Sequence, residues 1–248
     1  MAHTTNSNPY ISMTSPRIAL IHATPLAVSP INDAFKRLWP QAHCQNILDD
    51  TLSQDLAKEG LLSNDMIQRF MDLSQYSLRA GCEAILFTCS AFGTAIEAVA
   101  HVSGVPTLKP NEAMFQEALN LATKINPLKI GLIATFNPSI DSMSAELKDL
   151  AMSQHIAIEL FTVFVPNAML ELANGNPQVH HDLIAQGAAS LPHCDVILLA
   201  QFSMAAAKPT VSKAILPLKT PVLSSPDCAV TALKAALQER QETPQQLV

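Results

Sequence analysis

One cysteine of the chain, Cys89, stands where a thiol could act on a bound molecule. It ends the predicted strand Ala84–Cys89 and precedes Ser90-Ala-Phe-Gly-Thr94, a segment typical of a turn that enters a helix. Backbone amides and the helix dipole at such a position stabilise a thiolate, which can act as a base or as a nucleophile. We therefore predict that Cys89 touches the substrate, although Cys is also common as a small buried hydrophobe.

The other cysteines fit that structural role better. Cys82 and Cys194 precede predicted strands, at the end away from Cys89, and we interpret Cys44 and Cys228 as buried too. The chain has five widely spaced cysteines, no CxxC pair and a polar start that resembles no export signal, which predicts reduced thiols and a cytoplasmic protein. The adjacent acids Asp49 and Asp50 lack clustered partners. We therefore expect no metal site.

Short apolar segments alternate with helical patterns along the chain. Several of these segments are apolar on both faces, which predicts an α/β fold with covered parallel sheets. Asn64–Ala80 has helical spacing and stops at Gly81, and Asn176-Pro177 and Ser225-Pro226-Asp227 open later helices. The strand candidates are Ile18–Ala23, Ala84–Cys89, Lys129–Thr135, Ala157–Val165, Val196–Gln201 and Pro221–Ser224.

An internal repeat divides the chain into two similar halves. Three pairs of segments match, namely those starting at Ile18 and Ile130, at Cys82 and Cys194, and at Val105 and Thr220. The first two pairs share an offset of 112 residues, and the third pair, aligned on Pro106 and Pro221, has an offset of 115. A shared offset makes duplication of an α/β half a better explanation than chance.

Two other strand ends carry side chains that could assist Cys89. Gln201 occupies the repeat position that matches Cys89. Its amide cannot exchange a proton as a thiol does, but it can hydrogen-bond a carboxylate or carbonyl of a substrate, or equally the backbone of a loop. His22 ends the first strand and is either an acid–base group or a structural hydrogen-bonding residue.

Ligands of parallel sheets bind beyond the carboxyl ends of the strands, and we expect the equivalent ends of duplicated halves to face each other. The ends concerned are His22–Pro25, Thr88–Thr94, Ala134–Ser139 and Ala200–Ser203. Their hydroxyls and free amides suit a carboxylate. The predicted substrate-binding residues are His22, Thr24, Ser90, Thr94, Thr135, Ser139 and Ser203. Nearby apolar residues fit either a partly hydrophobic substrate or the core, namely Phe92, Phe136, Phe202 and Met204.

The composition excludes several classes of partner. The net charge is −6, and the 15 Lys and Arg residues are scattered, so we expect neither nucleic acid nor a membrane surface as a partner. No apolar stretch is long enough to cross a membrane. The chain has only 7 glycines and no GxGxxG or GxxxxGK[ST] motif, which argues against a nucleotide site. Self-association into a homo-oligomer is left open.

From about Arg17 onwards the sequence resembles the aspartate/glutamate racemase superfamily, which includes glutamate, aspartate and hydantoin racemases, maleate isomerase and arylmalonate decarboxylase. Leu86-Phe-Thr-Cys-Ser-Ala-Phe-Gly93 is similar to the segment of the first catalytic cysteine of that family. Ala134-Thr135, with Ser139 nearby, is similar to its substrate-binding turn, and Asp195–Ser203 falls where its second cysteine lies.

The resemblance implies two Rossmann-like lobes related by a pseudo-twofold axis, with an active site between them and no cofactor or metal. It also implies that the C-terminal helix returns to the first lobe. The lobes would then be residues 17–110 with 225–248, and residues 111–224, after a flexible lead-in over residues 1–16.

The sequence departs from the family pattern at the second thiol, because Gln201 stands where a cysteine is expected. His22-Ala23 also replaces the Asp-Ser of glutamate racemases. The resemblance then implies a cofactor-independent enzyme that acts on a small carboxylic acid through Cys89. Decarboxylation, cis–trans isomerisation by thiol addition, and racemisation with a second group such as His22 stay open. The alternative is a protein that binds a small carboxylate on the same fold without catalysis.

Overall fold

The computed structural model describes residues 15–122, 127–137, 139–216 and 218–242, with the side chain of Gln241 excepted. The lead-in predicted over residues 1–16 lies outside this part of the chain, apart from its last two residues. No helix among the described residues combines the length and the apolar composition needed to cross a membrane.

The first half of the chain alternates strands and helices. In chain order its elements are β1 (Arg17–His22), α1 (Val28–Leu38), β2 (His43–Leu48), α2 (Thr51–Glu59), α3 (Asn64–Arg79), β3 (Ala84–Phe87), α4 (Gly93–Ser103) and β4 (Thr107–Leu108). Two single turns of 3₁₀ helix follow strand ends, Pro25–Ala27 after β1 and Ser90–Phe92 after β3.

The second half repeats this order. Its elements are α5 (Glu112–Leu119), β5 (Leu128–Ala134), α6 (Ser139–Ser153), β6 (Ile158–Phe164), α7 (Ala168–Ala173), α8 (Pro177–Ala189), β7 (Val196–Leu199), α9 (Lys208–Ala214), β8 (Val222–Ser224) and α10 (Ser225–Glu242). A longer 3₁₀ segment, Phe202–Ala207, follows β7.

The two halves form two parallel sheets with the same strand order, β2-β1-β3-β4 and β6-β5-β7-β8. The pairing register repeats as well. Ile18 pairs with Ala84 in the first sheet, and Ile130 pairs with Val196 in the second, each 112 positions later. The predicted α/β fold of two similar parallel-sheet lobes is therefore confirmed.

All six predicted strands are present within two residues of the predicted ends. Among the described residues, two strands were not predicted. β2 is an edge strand whose side chains are half-buried or exposed, so its sequence His43-Cys-Gln-Asn-Ile-Leu48 lacks an apolar run. β4 has only two residues, which is too short to give a pattern.

The inner strands are apolar because both faces of each sheet are covered by helices. In β1, Ile18 and Leu20 face one hydrophobic cluster and Ala19 and Ile21 face the other. β5 divides its residues between two further clusters in the same way. Alternate side chains of a strand point to opposite faces, so burial on both faces requires an unbroken apolar sequence.

The last helix, α10, packs against the first sheet. Ala229, Val230, Leu233 and Leu237 are buried in the same cluster as β1 and α1. Phe202, which follows β7 in the second half, is buried there too. The chain therefore joins its halves through a shared hydrophobic cluster as well as through its loops, while the division into two lobes at residues 110 and 225 stays a prediction.

Candidate active site

The four strand ends meet where the two halves contact each other. The turn Pro25–Ala27 after β1 contacts the segment Phe202–Ala207 after β7, and the turn Ser90–Phe92 after β3 contacts α6, which follows β5. Each half thus presents its first strand end to the second strand end of the other half. This reciprocal arrangement is the one that a pseudo-twofold axis between the lobes produces.

Cys89 lies at this junction. Cys89 as a whole residue is partly exposed. The residue has extended backbone angles (φ −127°, ψ 119°) and immediately precedes the 3₁₀ turn Ser90–Phe92. β3 itself ends at Phe87, two residues earlier than predicted.

The expectation of an acidic thiol needs correction. Burial raises the pKa of the Cys89 thiol above its ordinary value, and hydrogen bonds from the backbone N–H of Ala91 and from the Ser53 hydroxyl lower it only in part. The long helix α4 begins at Gly93, and only one short 3₁₀ turn starts beside the sulfur. A single turn has a small dipole, so Cys89 is a protonated thiol at neutral pH when no ligand is bound.

Ser53 is a residue of this site that the sequence analysis missed. Its hydroxyl donates a 2.7 Å hydrogen bond to the carbonyl oxygen of Ala23, the residue that follows β1, and it lowers the pKa of the Cys89 thiol in part. Ser53 lies in α2, directly after the missed strand β2. Recognising β2 would have identified a further strand end and would have drawn attention to Ser53.

His22 lies beneath the junction rather than at its surface. It is 0 % exposed, and both ring nitrogens are engaged: Nδ1 lies 2.9 Å from the Thr88 hydroxyl oxygen and Nε2 lies 3.0 Å from the amide oxygen of Asn46. An amide oxygen only accepts, so Nε2 carries the proton and Nδ1 accepts from Thr88. Burial lowers the pKa of His22, and the hydrogen bond to Asn46 raises it only in part. The ring is therefore neutral.

Gln201 is held by the turn that follows β5. Its amide oxygen accepts from the backbone N–H of Thr135 at 2.8 Å and from the Thr135 hydroxyl at 3.2 Å, and its amide nitrogen donates to the Ser139 hydroxyl at 2.9 Å. The Ser139 hydroxyl in turn donates to the carbonyl of Phe136. Gln201 was expected to bond either a substrate or the backbone of a loop, and these contacts show that it bonds the loop after β5. The second N–H of its amide remains for a ligand.

The remaining predicted hydroxyls differ in their access to solvent. Thr94 is exposed, whereas Thr135 is only 5 % exposed. The other four are half-buried, namely Thr24, Ser90, Ser139 and Ser203. The Thr24 hydroxyl accepts from the backbone N–H of Leu26 at 3.4 Å. Direct contact of these groups with a substrate stays a prediction.

The apolar residues near the strand ends divide into two groups. Phe92, Phe202 and Met204 are at most 5 % exposed and belong to the core, so they do not line a binding surface. Phe136, by contrast, is 50 % exposed, and Leu26 after β1 is 44 % exposed. The segments 22–27, 88–94, 134–139 and 200–207 contain no Lys, Arg, Asp or Glu. The strand ends therefore offer hydroxyls, amides and apolar surface to a ligand, and no formal charge.

Within the described part of the chain, no group of three His, Cys, Asp or Glu side chains is placed to hold a metal ion. Asp49, one of the two adjacent acids, is bonded to Arg69 and Thr51 instead.

Solved structures of racemases share this architecture. An allantoin racemase from Klebsiella pneumoniae superposes with a TM-score of 0.67 at 13 % identity, over 91 % of this chain and 89 % of that chain. A glutamate racemase from Bacillus anthracis gives 0.66 at 15 % identity, over 92 % and 83 %. A glutamate racemase from Francisella tularensis, solved in complex with D-glutamate, gives 0.64 at 14 % identity, over 95 % and 86 %. No curated protein is significantly similar in sequence.

Two parallel-sheet lobes that meet at their strand ends define a racemase-type α/β enzyme fold. The model of the Asp/Glu/hydantoin racemase family matches residues 49–233, which is most of the chain. The chain belongs to that family, and the resemblance found in its sequence is confirmed.

Proposed function

We propose that the protein is a cofactor-independent enzyme that acts on one face of a small carboxylic acid through Cys89, either by proton transfer in a decarboxylation or by thiol addition in a cis–trans isomerisation. The observation that carries this proposal is the asymmetry of the two equivalent strand ends. Cys89 is a partly exposed residue with a thiol side chain, whereas the side-chain amide of the matching Gln201 is bonded to Thr135 and Ser139.

Racemisation requires an acid–base group on each face of a planar intermediate. His22 is a poor second group because it is buried and neutral, and both of its ring nitrogens have partners. An amide does not exchange protons at neutral pH. These contacts favour decarboxylation or thiol-addition isomerisation over two-base racemisation.

In the decarboxylation, the substrate has two carboxylates on one carbon. The bond to the departing carboxylate breaks, and its electron pair is delocalised into the remaining carboxylate as an enediolate. Carbon dioxide leaves, and the S–H proton of Cys89 forms the new C–H bond. The thiolate then takes a proton from water. A thiol that is protonated at rest, as the raised pKa of Cys89 makes it, starts this sequence in the required state.

The substrate carboxylate would be held by uncharged donors, namely the hydroxyls and backbone amides near Thr24, Ser90, Thr94, Thr135, Ser139 and Ser203. Exposed Leu26 and Phe136 offer apolar surface to the rest of the molecule. We therefore propose a substrate with one reacting carboxylate-bearing carbon and an uncharged, partly apolar substituent. Self-association and a cytoplasmic location remain compatible with this proposal.

The test is a screen of mono- and dicarboxylic acids in deuterated water, followed by NMR. The proposal expects one of two results: loss of carbon dioxide with one deuteron gained from solvent at a single handedness, or a change in double-bond geometry without net exchange. Exchange that ends in a racemic product would contradict one-face chemistry. The Cys89→Ala variant serves as the matched control and should be inactive.

The second candidate is a binding protein without catalysis, which the raised pKa of Cys89 favours. Calorimetric binding of a carboxylate that undergoes no exchange, decarboxylation or isomerisation in the same NMR assay would support it.

A further inference from the structure

We propose that Phe202 is a positioning residue of the site: it anchors the strand end that carries Gln201 in the core of the other half, and so holds the two halves together beside Cys89. Phe202 directly follows Gln201 and begins the 3₁₀ segment Phe202–Ala207. The effect of this anchor on turnover rests on the proposed function of Cys89, whereas the anchor itself consists of contacts between the halves.

The side chain of Phe202 lies in the hydrophobic cluster of the first half. It is 5 % exposed and shares this cluster with Ile18 and Leu20 of β1 and with apolar residues of α1 and α10. The segment Phe202–Ala207 contacts α1, α10 and the turn Pro25–Ala27. A buried aromatic side chain removes a large apolar area from water. Separation of the halves would therefore have to expose this area again.

The repeat shows that the two halves differ in this anchor. The position that matches Phe202, 112 residues earlier, is Ser90, which is small and half-buried. The buried aromatic residue of that turn, Phe92, packs in the cluster of its own half. Among the described residues, the strand end with Gln201 is thus anchored in the opposite half, and the strand end with Cys89 is anchored in its own.

An ion pair holds the other end of the segment. Lys208, the first residue of α9, donates to the carboxylate of Asp227 at 3.3 Å, and Arg37 of α1 donates to the same carboxylate at 2.6 Å. Asp227 lies in the first turn of α10, the helix that packs against the first sheet. Partly exposed ion pairs contribute little stability, so the buried side chain of Phe202 is the stronger of the two attachments.

The anchor acts on the site through Gln201. The Gln201 amide oxygen is bonded to Thr135 in the second half, while the next residue along the chain is buried in the first half. A single peptide unit therefore joins the two sides of the cleft, and the position of Phe202 determines how far Gln201 lies from Cys89. Loss of the aromatic side chain should let the halves separate and should open Cys89 to solvent.

The experiment measures the rate at which iodoacetamide alkylates each cysteine of the folded protein at one pH, followed by peptide mass spectrometry. Phe202→Ala is expected to raise the rate at Cys89 by about tenfold or more, because removal of a buried aromatic side chain shifts an equilibrium by at least that factor. Cys82 and Cys194 are buried at the amino ends of their strands, away from the cleft, and serve as internal references. Their rates should stay unchanged.

Four further variants complete the design. Lys208→Met removes the ion pair and should raise the rate at Cys89 by about two- to fivefold. Lys213→Met, at an exposed position of the same helix, is its control and should match the wild type. If Phe202→Ala does not fold, Phe202→Leu is compared with Phe115→Leu, which alters a buried residue in a cluster of the second half. Only the substitution at Phe202 should raise the rate at Cys89.

Equal rates at Cys89 in folded Phe202→Ala and in the wild type would overturn the proposal. An equal rise at Cys82, Cys194 and Cys89 would also overturn it, since that pattern reports general loss of structure. The alkylation assay needs no substrate, so its failure is distinct from a failure to find turnover. With an active substrate, Phe202→Leu should lower kcat, whereas Phe115→Leu should keep the kcat of the wild type.

Discussion

The amide oxygen of Gln201 accepts hydrogen bonds from both the backbone N–H and the hydroxyl of Thr135. This contact joins the ends of β7 and β5 directly. In the other half, the ends of β1 and β3 are joined by the hydrogen bond between the His22 ring and the Thr88 hydroxyl, and Ser53 of α2 donates to the carbonyl of Ala23. Both halves thus join their two inner strand ends by a side-chain hydrogen bond, and the first half has a thiol, Cys89, where the second half has Gln201.

Replacing Gln201 with Leu should destabilise the fold. The backbone N–H of buried Thr135 would lose its acceptor, and an unsatisfied buried donor costs about 1–3 kcal/mol. Urea unfolding of the two proteins measures the difference. Gln178→Leu, at an exposed helix position whose side chain donates to Asp182, is the control and should change stability by less than about 0.5 kcal/mol. Equal stabilities of Gln201→Leu and the wild type would contradict the structural role.

Cys89→Ala should abolish turnover of the substrate found in the NMR screen while leaving the fold intact. Loss of a general acid or base lowers rates by about 10²- to 10⁴-fold. Cys44→Ala is the control, since Cys44 lies in the edge strand β2 and burial raises its pKa to about 11. Circular dichroism and thermal unfolding check the fold. Full activity of Cys89→Ala would remove the proposed mechanism.

His22 should make stability depend on pH. Burial lowers its pKa in the folded protein below the ordinary value of 6.5, so the unfolded chain binds the proton more readily. The stabilisation by neutral His22 is therefore complete above about pH 6.5 and decreases as the pH falls through that value towards the folded pKa.

Urea unfolding at pH 7.5 and at pH 5.5 measures this effect. The wild type should lose more stability between these values than His22→Gln, whose side chain does not titrate. The control is His43→Gln, which alters an exposed residue of β2 and should keep the pH dependence of the wild type. Identical pH dependence in His22→Gln and the wild type would show that His22 is not held neutral.

Gly131→Ala should disturb the packing of the second lobe. A Cβ atom at this position of β5 would lie 2.7 Å from Cδ1 of Leu191 and 3.3 Å from Sγ of Cys194. Cδ1 is the far end of the partly exposed Leu191 side chain, which can shift, so we expect a cost of about 1 kcal/mol, at the low end of the range for overpacking. Gly93→Ala is a suitable comparison, because a Cβ at the start of α4 meets nothing within 4 Å. Thermal unfolding should therefore show a lower Tm for Gly131→Ala and no loss for Gly93→Ala.

Most of the fold was predictable because apolar runs and the internal repeat can be read directly from the amino-acid sequence. The common offset of 112 between Ile18 and Ile130 is visible in the letters alone, and the register of both sheets reproduces it. β2 gave no such signal, since one edge of that strand faces solvent and its residues are mostly polar. Missing β2 also hid Ser53, which enters the site only because α2 returns across the end of the sheet.

The amino-acid sequence by itself determined the α/β class, the duplication, the family and the position of Cys89 at a strand end. Periodicity and turn residues act over a few neighbours, and a motif is a string of letters. The tertiary structure alone decided that His22 is buried and neutral, that Gln201 is tied to Thr135 and Ser139, and that burial raises the pKa of Cys89. Desolvation and hydrogen-bond partners depend on which distant segments come together, and no local pattern encodes that.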